Sequence, residues 1–303
     1  MVDITHKSNT LREAKAQAVV RVSKSETIQA IVNDTVPKGN VFAMSKAAGL
    51  LSVKKTPDLL PDCHPLPIEY TAVDYQIDEL SILITVTVKT IYKTGVEVEA
   101  MHGASVVALN IYDMLKPIDK GVEIHHIKLL EKKGGKSSRM SFDSSEIHAQ
   151  VIVCSDTISR GENEDRSGKV IQERLQGFAI PVDEIIIIPD EEVLIREKVA
   201  SLSKEKQLII LTGGTGLSPR DVTPEAILPL LDKRIIGAEE TIRHYGQERT
   251  RYAMLSRSVV GTIDNRCMVM AIPGSTKGVA ECMDAVLPEL FHVFNVMKGM
   301  RHS

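Results

Sequence analysis

Long hydrophobic stretches are missing from this sequence of 303 residues. No run approaches the roughly 18 consecutive apolar residues that cross a bilayer as a helix, so a helical membrane protein is excluded. Clustered cysteine is missing as well. Cys63, Cys154, Cys267 and Cys282 form no C-x-x-C pair, which leaves no material for a disulfide framework or a zinc cage. Reduced, mostly buried thiols are expected instead. The opening Met-Val-Asp-Ile-Thr-His-Lys lacks the basic patch and apolar stretch of a secretory signal, and a cytoplasmic protein is expected. An excess of positive charge is also absent. Lys and Arg number 37 against 40 Asp and Glu, and division at residue 140 gives 18 basic against 16 acidic residues, then 19 against 24. Nucleic acid is therefore not an expected partner. Neither an internal repeat nor a long low-complexity tract is present.

What is there is ordinary globular material, 43% hydrophobic and 25% charged, at a length natural for two cores. The stretch Lys132-Lys133-Gly134-Gly135-Lys136-Ser137-Ser138, running on to Ser144-Ser145, is polar and rich in glycine and serine. It reads as a linker. The expected organisation is a first domain over 1–136, a linker over 137–146 and a second domain over 147–303.

In the first half, Leu80 to Val88 alternates Ile82, Ile84, Val86 and Val88 against Leu83, Thr85 and Thr87, the period of a half-buried strand. Met101 to Leu115 places Val106, Leu109 and Tyr112 or Asp113 at helical spacing, and Lys116-Pro117 predicts its end. The half reads as α+β. The second half alternates helical segments with short β-branched runs at Val151–Val153, Ile185–Ile188, Leu208–Leu211 and Met268–Ile272, which suit a buried parallel sheet. The runs end in Ser155-Asp156-Thr157, Pro189-Asp190-Glu191, Thr212-Gly213-Gly214-Thr215-Gly216 and Pro273-Gly274-Ser275. Ligands of open α/β sheets sit at such strand ends, so the four loops are expected to converge on one pocket.

Glycines after a strand and before a helix let backbone N–H groups approach an anion, aided by the helix dipole. The same residues also serve plain tight turns. Asp190 and Asp221 at strand ends beside such a cradle supply the one or two carboxylates that Mg²⁺ takes alongside phosphate oxygens. A lone aspartate there is otherwise a helix cap.

The continuous stretch Leu211-Thr212-Gly213-Gly214-Thr215-Gly216-Leu217-Ser218-Pro219-Arg220-Asp221-Val222-Thr223-Pro224-Glu225-Ala226 resembles the signature of the molybdopterin-binding adenylyltransferase family. Ser155–Gly161, Ile188–Glu191, Gly237–Arg243 and Pro273–Gly278 support the likeness, which covers nearly everything from residue 147 onward. It implies a three-layer, Rossmann-like α/β domain in which the terminal phosphate of molybdopterin attacks the α-phosphate of ATP. By position it implies that Asp190 and Asp221 hold Mg²⁺ and meet transition-state charge. Asp156, Gly213, Gly214, Thr215, Gly216, Glu240, Pro273, Gly274 and Ser275 would hold phosphate or pterin. Gly237-Ala238-Glu239-Glu240 departs from the Gly-Phe-Gly-Glu of many relatives but keeps Glu240. A scaffold that binds molybdopterin without transferring adenylate is the alternative.

In the first half, Cys63-His64-Pro65-Leu66-Pro67 sets a histidine beside prolines that restrict the backbone. Its imidazole suits proton transfer, although a lone histidine is commonly structural. Glu97 and Glu99 share a face if their segment is a strand. Asp113 and Lys116, three apart on the expected helix, are neighbours, ordinarily a surface ion pair. These residues stand in Cys63–Leu66, Lys93–Ala100 and Ala104–Lys116, which with Lys38–Ala43 resemble cyclic pyranopterin monophosphate synthase from Met1 to about Lys136.

That resemblance implies a ferredoxin-like α+β fold, with no tightly bound cofactor. It also implies conversion of a cyclised dihydroguanosine triphosphate to cyclic pyranopterin monophosphate and pyrophosphate. Asp113 and Lys116 would be the acid/base pair, and Lys38, Arg12, Lys132 and Lys133 would meet the triphosphate. His64, Glu97 and Glu99, with Asp62, Cys63 and Val98, would bind purine and ribose or shuttle protons. Met101-His102-Gly103 replaces the Leu-Thr-Ala of many relatives, leaving His102 as an extra titratable group. Both families form homo-oligomers, hexamers and trimers, and a hexamer of the full chain is expected from the shared threefold axis.

Overall fold

The computed structural model describes residues 1–135 and 143–300. The chain divides into two compact units, Met1–Ser138 and Arg139–Ser303. Of the expected linker, 137–142 lie outside the described residues, and Ser144–Glu146 forms one short helical turn. No described helix is long and apolar enough to cross a membrane.

In the first unit, strand β1 (Thr10–Arg21) is followed by helices α1 (Ser25–Val32), α2 (Val41–Lys54) and α3 (Thr56–Leu59). Strands β2 (Tyr70–Asp78) and β3 (Ser81–Tyr92), helix α4 (Glu97–Leu115) and strand β4 (Glu123–Lys133) complete it. The sheet order is β2-β3-β1-β4, every neighbouring pair antiparallel. Ile82, Ile84, Val86 and Val88 all point into the core, as their alternation predicts. On β1 the inward positions are Ala14, Ala16, Ala18 and Val20, small enough for α4 to lie close against the sheet. Alpha-helix α4 answers with Gly103, Ala104 and Ala108, and a Cβ on Gly103 would stand 2.6 Å from Val53 on α2.

Three expectations change here. The helix starts at Glu97 rather than Met101, so Glu97 and Glu99 occupy its first turn and not a strand. Carboxylates are favoured there by the positive end of the helix dipole. The expected apolar stripe is also displaced, because Leu109 and Tyr112 are exposed while Ala104, Val107, Ala108, Ile111 and Leu115 are buried. Small side chains carry the contact, and size alone marked the wrong face. Lys132 and Lys133 belong to β4, paired with Ala14 and Glu13, rather than to a linker.

The second unit contains β5 (Ala149–Cys154), α5 (Asp156–Ser159), α6 (Ser167–Gln176), β6 (Ile186–Ile188), α7 (Glu192–Leu202) and β7 (Leu208–Thr212). Then come α8 (Thr223–Ile227), β8 (Lys233–Arg234), α9 (Ile236–Gln247), β9 (Val259–Ile263), β10 (Cys267–Ile272), α10 (Thr276–Val286) and α11 (His292–Met297). The order is β6-β5-β7-β10-β9-β8. One core cluster packs α6, α9 and α10 on Val151, Leu208 and Met270; another packs α7 and α8 on Ile152, Ile209 and Val269. Both faces of the sheet are thus covered. The four strands expected from the sequence run parallel to one another, but β9 runs antiparallel to both β10 and β8, so the sheet is mixed. The reversal is a tight turn at Asp264 and Asn265, both with positive φ, a pairing that hairpins favour.

Candidate active sites

Because β6, β5, β7 and β10 are parallel neighbours, their C-terminal ends share one edge of the sheet. The loops after β7 and β10 touch: a Cβ on Gly274 would lie 3.2 Å from the Cα of Gly213. Gly213 and Gly214 adopt φ of 103° and 61°. A Cβ on Gly213 would strike the carbonyl oxygen of Cys154, and one on Gly214 would strike Thr223 Oγ1. The turn therefore requires glycine at both positions. Among the described residues, the backbone N–H groups of Gly214, Thr215, Gly216 and Leu217 have no hydrogen-bond partner. Thr215 is 4% exposed, and buried N–H groups are seldom left unpaired. Four successive free donors form a nest for an anion.

The expected carboxylates flank this nest. A Cβ on Gly214 would lie 2.7 Å from Asp190 Oδ1, an oxygen that is buried and unpaired. Burial first, then the negative charges of Asp156 and Asp221, push the Asp190 carboxyl above its usual range. Asp221 Oδ2 accepts the N–H of Ser218 at 2.8 Å and stands beside Gly216. Asp156 has a different task. Its Oδ2 accepts Arg220 Nε at 3.0 Å and Nη2 at 2.6 Å, and its Oδ1 accepts the N–H of Asp190 at 3.1 Å. The Arg220 contact and the Asp190 N–H lower its carboxyl pKa. No group of three or more His, Cys, Asp or Glu side chains among the described residues forms a ready-made metal cage. An unpaired buried carboxylate oxygen with a second carboxylate at the same loop does fit Mg²⁺, which keeps most of its shell for water and phosphate.

A cavity of about 510 Å³, ample for a small-molecule ligand, opens beside the nest. Gly213–Gly216, Asp221 and Pro273–Ser275 form one wall. The other wall comes from Ile242, Arg243 and Gly246 on α9, the segment Thr250–Ser256, and Gly278, Glu281 and Cys282 on α10. The loops after β7 and β10 thus line it, whereas Asp156 and Asp190, from the loops after β5 and β6, do not. Ser275 Oγ caps α10 by accepting Gly278 N–H at 3.2 Å. Glu240 is exposed and does not line the cavity. The buried residue is its neighbour Glu239, 1% exposed, which accepts Arg234, approaches Arg243 at 3.8 Å and receives the N–H of Val260.

The first unit gathers its expected residues in two places. At the C-terminal end of α4, Asp113 lies between Lys38 and Lys116, each Nζ 2.6 Å from a carboxylate oxygen. These hydrogen bonds, Lys116 first, hold the Asp113 carboxyl down at about 2 and raise the Lys116 ammonium. At the N-terminal end, Lys132 Nζ donates to Glu97 Oε1 at 2.9 Å, and Arg12, anchored on the Tyr92 carbonyl at 3.2 Å, adds its charge. Cys63 Sγ donates to buried Glu99 at 3.2 Å. Burial and Glu99 push the Cys63 thiol up to about 12, and burial raises the Glu99 carboxyl. His64 Nε2 bonds the Val2 carbonyl at 2.8 Å, Asp62 pairs with the N-terminal ammonium, and Val98 is exposed. His102, the extra titratable group, is held by Thr56 at 3.0 Å. At 1.5 Å per residue, Glu97 and Asp113 on α4 stand roughly 24 Å apart.

Sequence reasoning missed the second wall. Tyr252, Leu255 and Glu281 carry no glycine, carboxylate pair or strand end to mark them, and only Ile242, Arg243 and Gly278 lay in segments singled out for their likeness.

The comparisons follow the same division. The model of the MoaC family matches residues 1–135, and that of a probable molybdopterin binding domain matches 150–292. A cyclic pyranopterin monophosphate synthase of Geotalea uraniireducens is 49% identical over 45% of this chain and 86% of its own. The molybdopterin biosynthesis enzyme MoaB of Thermus thermophilus is 35% identical over 52% of this chain and 99% of its own, with a TM-score of 0.48. A molybdenum cofactor biosynthesis bifunctional protein of Chlorobaculum tepidum is 39% identical over 100% of this chain and 96% of its own. The chain belongs to the family of bifunctional molybdenum cofactor biosynthesis proteins.

Proposed function

We propose that the first unit converts a cyclised dihydroguanosine triphosphate to cyclic pyranopterin monophosphate, and that the second adenylylates molybdopterin with Mg-ATP. The observation that carries the second activity is the run of four free N–H groups beside a buried, unpaired Asp190 oxygen. The nest takes the phosphates of ATP, and the cavity beside it takes the pterin of molybdopterin. Asp190 and Asp221 would hold Mg²⁺, which when bound neutralises phosphate charge and polarises the α-phosphate. Gly214–Leu217 fix the attacked phosphate in position, and Arg220, oriented by Asp156, brings a cation to the same loop. Glu239 keeps Arg243 directed at the cavity.

In the first unit, Asp113 stays ionised and holds Lys116 protonated, so Lys116 donates a proton while Asp113 and Lys38 orient it. Arg12 and Lys132 draw the triphosphate, and Glu99, kept protonated more readily by burial, supplies a second proton near Cys63. The order β-α-β-β-α-β with strand order β2-β3-β1-β4 supports a ferredoxin-like fold for this unit. A single substrate cannot touch both ends of α4 within one chain. The complete site therefore takes one end of α4 from each of two copies. The apolar edge strand β4, with Ile124, Ile127, Leu129 and Leu130 exposed, supports such a homo-oligomer.

The test incubates the full chain with molybdopterin and Mg-ATP and follows adenylylated molybdopterin for wild type and Asp221→Asn. Product from wild type alone is expected. Tight pterin binding with no product from either protein would leave the second unit a carrier.

A further inference from the structure

We propose that Arg257 is a positioning residue that shapes the phosphate nest from behind, a proposal that rests on the adenylyltransferase reading of the second unit. Arg257 lies just before β9, far in sequence from the loop it reaches. Its backbone N–H donates to the Thr215 carbonyl at 3.0 Å. Its Nε donates to the Gly216 carbonyl at 2.8 Å and its Nη2 to the Asp221 carbonyl at 2.7 Å, while Nη1 pairs with Glu225 in the first turn of α8. One residue thereby ties the entry of the loop, its exit and the helix that follows.

The consequence comes from peptide geometry. In a trans peptide the C=O of one residue and the N–H of the next point in opposite directions. Fixing the carbonyls of Thr215 and Gly216 on Arg257 therefore aims the N–H groups of Gly216 and Leu217 away from it. Those are two of the four donors without a partner. Holding the Asp221 carbonyl likewise fixes the backbone from which the Asp221 carboxylate projects. The guanidinium presents its donors in a rigid fork, so both carbonyls are held at a set spacing. Its charge is already matched by Glu225, so Arg257 orients donors rather than attracting the anion. Lysine, a point charge on a flexible stem, cannot hold both carbonyls.

The experiment compares wild type, Arg257→Lys and Arg257→Ala in the full chain. Adenylyl transfer is expected to lose on the order of 10²-fold in kcat in both variants, the scale of a small misplacement of reacting groups. KM for molybdopterin should move far less, and millimolar guanidinium should restore part of the Arg257→Ala rate. Pyranopterin formation by the first unit, measured on the same samples, should stay at the wild-type rate. Pyrophosphate affinity, read by calorimetry without turnover, should fall in both variants. Full activity in Arg257→Lys would show that charge suffices and overturn the proposal, as would unchanged kcat and pyrophosphate binding in Arg257→Ala. A wild type that binds pyrophosphate but transfers no adenylate would sink the adenylyltransferase reading alone. The positioning role would then stand or fall on the binding measurements.

Discussion

The two units assemble chemistry in opposite ways. In the second, residues from four distant stretches meet because four parallel neighbours end on the same edge of a sheet. In the first, Glu97, Glu99 and Asp113 all hang on one helix, which keeps Glu97 and Asp113 roughly 24 Å apart however well it packs. A sheet edge gathers; a helix spaces. The second unit can thus build its nest within one chain, whereas the first presents two separate clusters, each held by internal ion pairs, Lys38–Asp113–Lys116 and Glu97–Lys132.

The largest expected effect addresses that contrast directly. Lys116→Ala and Glu97→Gln should each lower pyranopterin formation by on the order of 10²- to 10⁴-fold, the range of a lost proton-transfer group, with adenylyl transfer intact. Co-produced in one cell, the two variants should recover roughly a quarter of wild-type activity, since half the dimers carry one site with both residues native. The matching pair in the second unit, Asp190→Asn and Asp221→Asn, should recover nothing in adenylyl transfer. Absence of recovery in the first pair would mean that its site closes within one chain, and the contrast would disappear.

A smaller effect tests how rigidly the nest is held. Gly213→Ala forces a Cβ toward the Cys154 carbonyl at a φ of 103°. It should destabilise the second unit by about 1–3 kcal/mol, seen as a lower urea midpoint for that unit. The first unit should keep its own midpoint, because no described element of its core involves this loop. Equal loss in both units would show that they unfold together.

The contrast also explains which parts were legible in the sequence. Continuous β-branched runs and the glycine loop marked the parallel strands and the nest, because burial on both faces and a forced positive φ each restrict residue choice locally. Strand β9 escaped because its reversal depends on two positive-φ residues, Asp264 and Asn265, with no glycine to signal it. The buried face of α4 escaped because Gly103, Ala104 and Ala108 lie on it while Leu109 and Tyr112 face outward. Asp113 and Lys116 were readable as a pair from helical spacing. Likeness marked Lys38 for the triphosphate, but that it also clasps Asp113 was not legible, since nothing local connects it to α4. Glu240 was legible through likeness to the Gly-Phe-Gly-Glu motif, whereas nothing in the sequence marked Glu239, which the phase of α9 turns toward Arg234 and Val260. Contacts such as those of Arg257 arise from tertiary folding and leave no periodic trace.

The smallest effect concerns the proton carried by Glu99. Burial raises its carboxyl above the ordinary 4.5, with the nearby Glu97 charge adding to the rise. Below the unfolded value both states are protonated and nothing is lost. As pH climbs from about 4.5 through the raised folded value, the unfolded chain ionises first, so stability drains away and the loss persists at higher pH. Glu99→Gln has no charge to bury, while its amide oxygen still accepts from Cys63. Its urea midpoint should therefore match wild type near pH 4 and exceed it increasingly up to a plateau at neutral pH. A gap that shrank with rising pH would mean that the cations of Arg12 and Lys132 favour the Glu99 anion more than burial opposes it, and Glu99 could not then serve as the proton donor of its half-site.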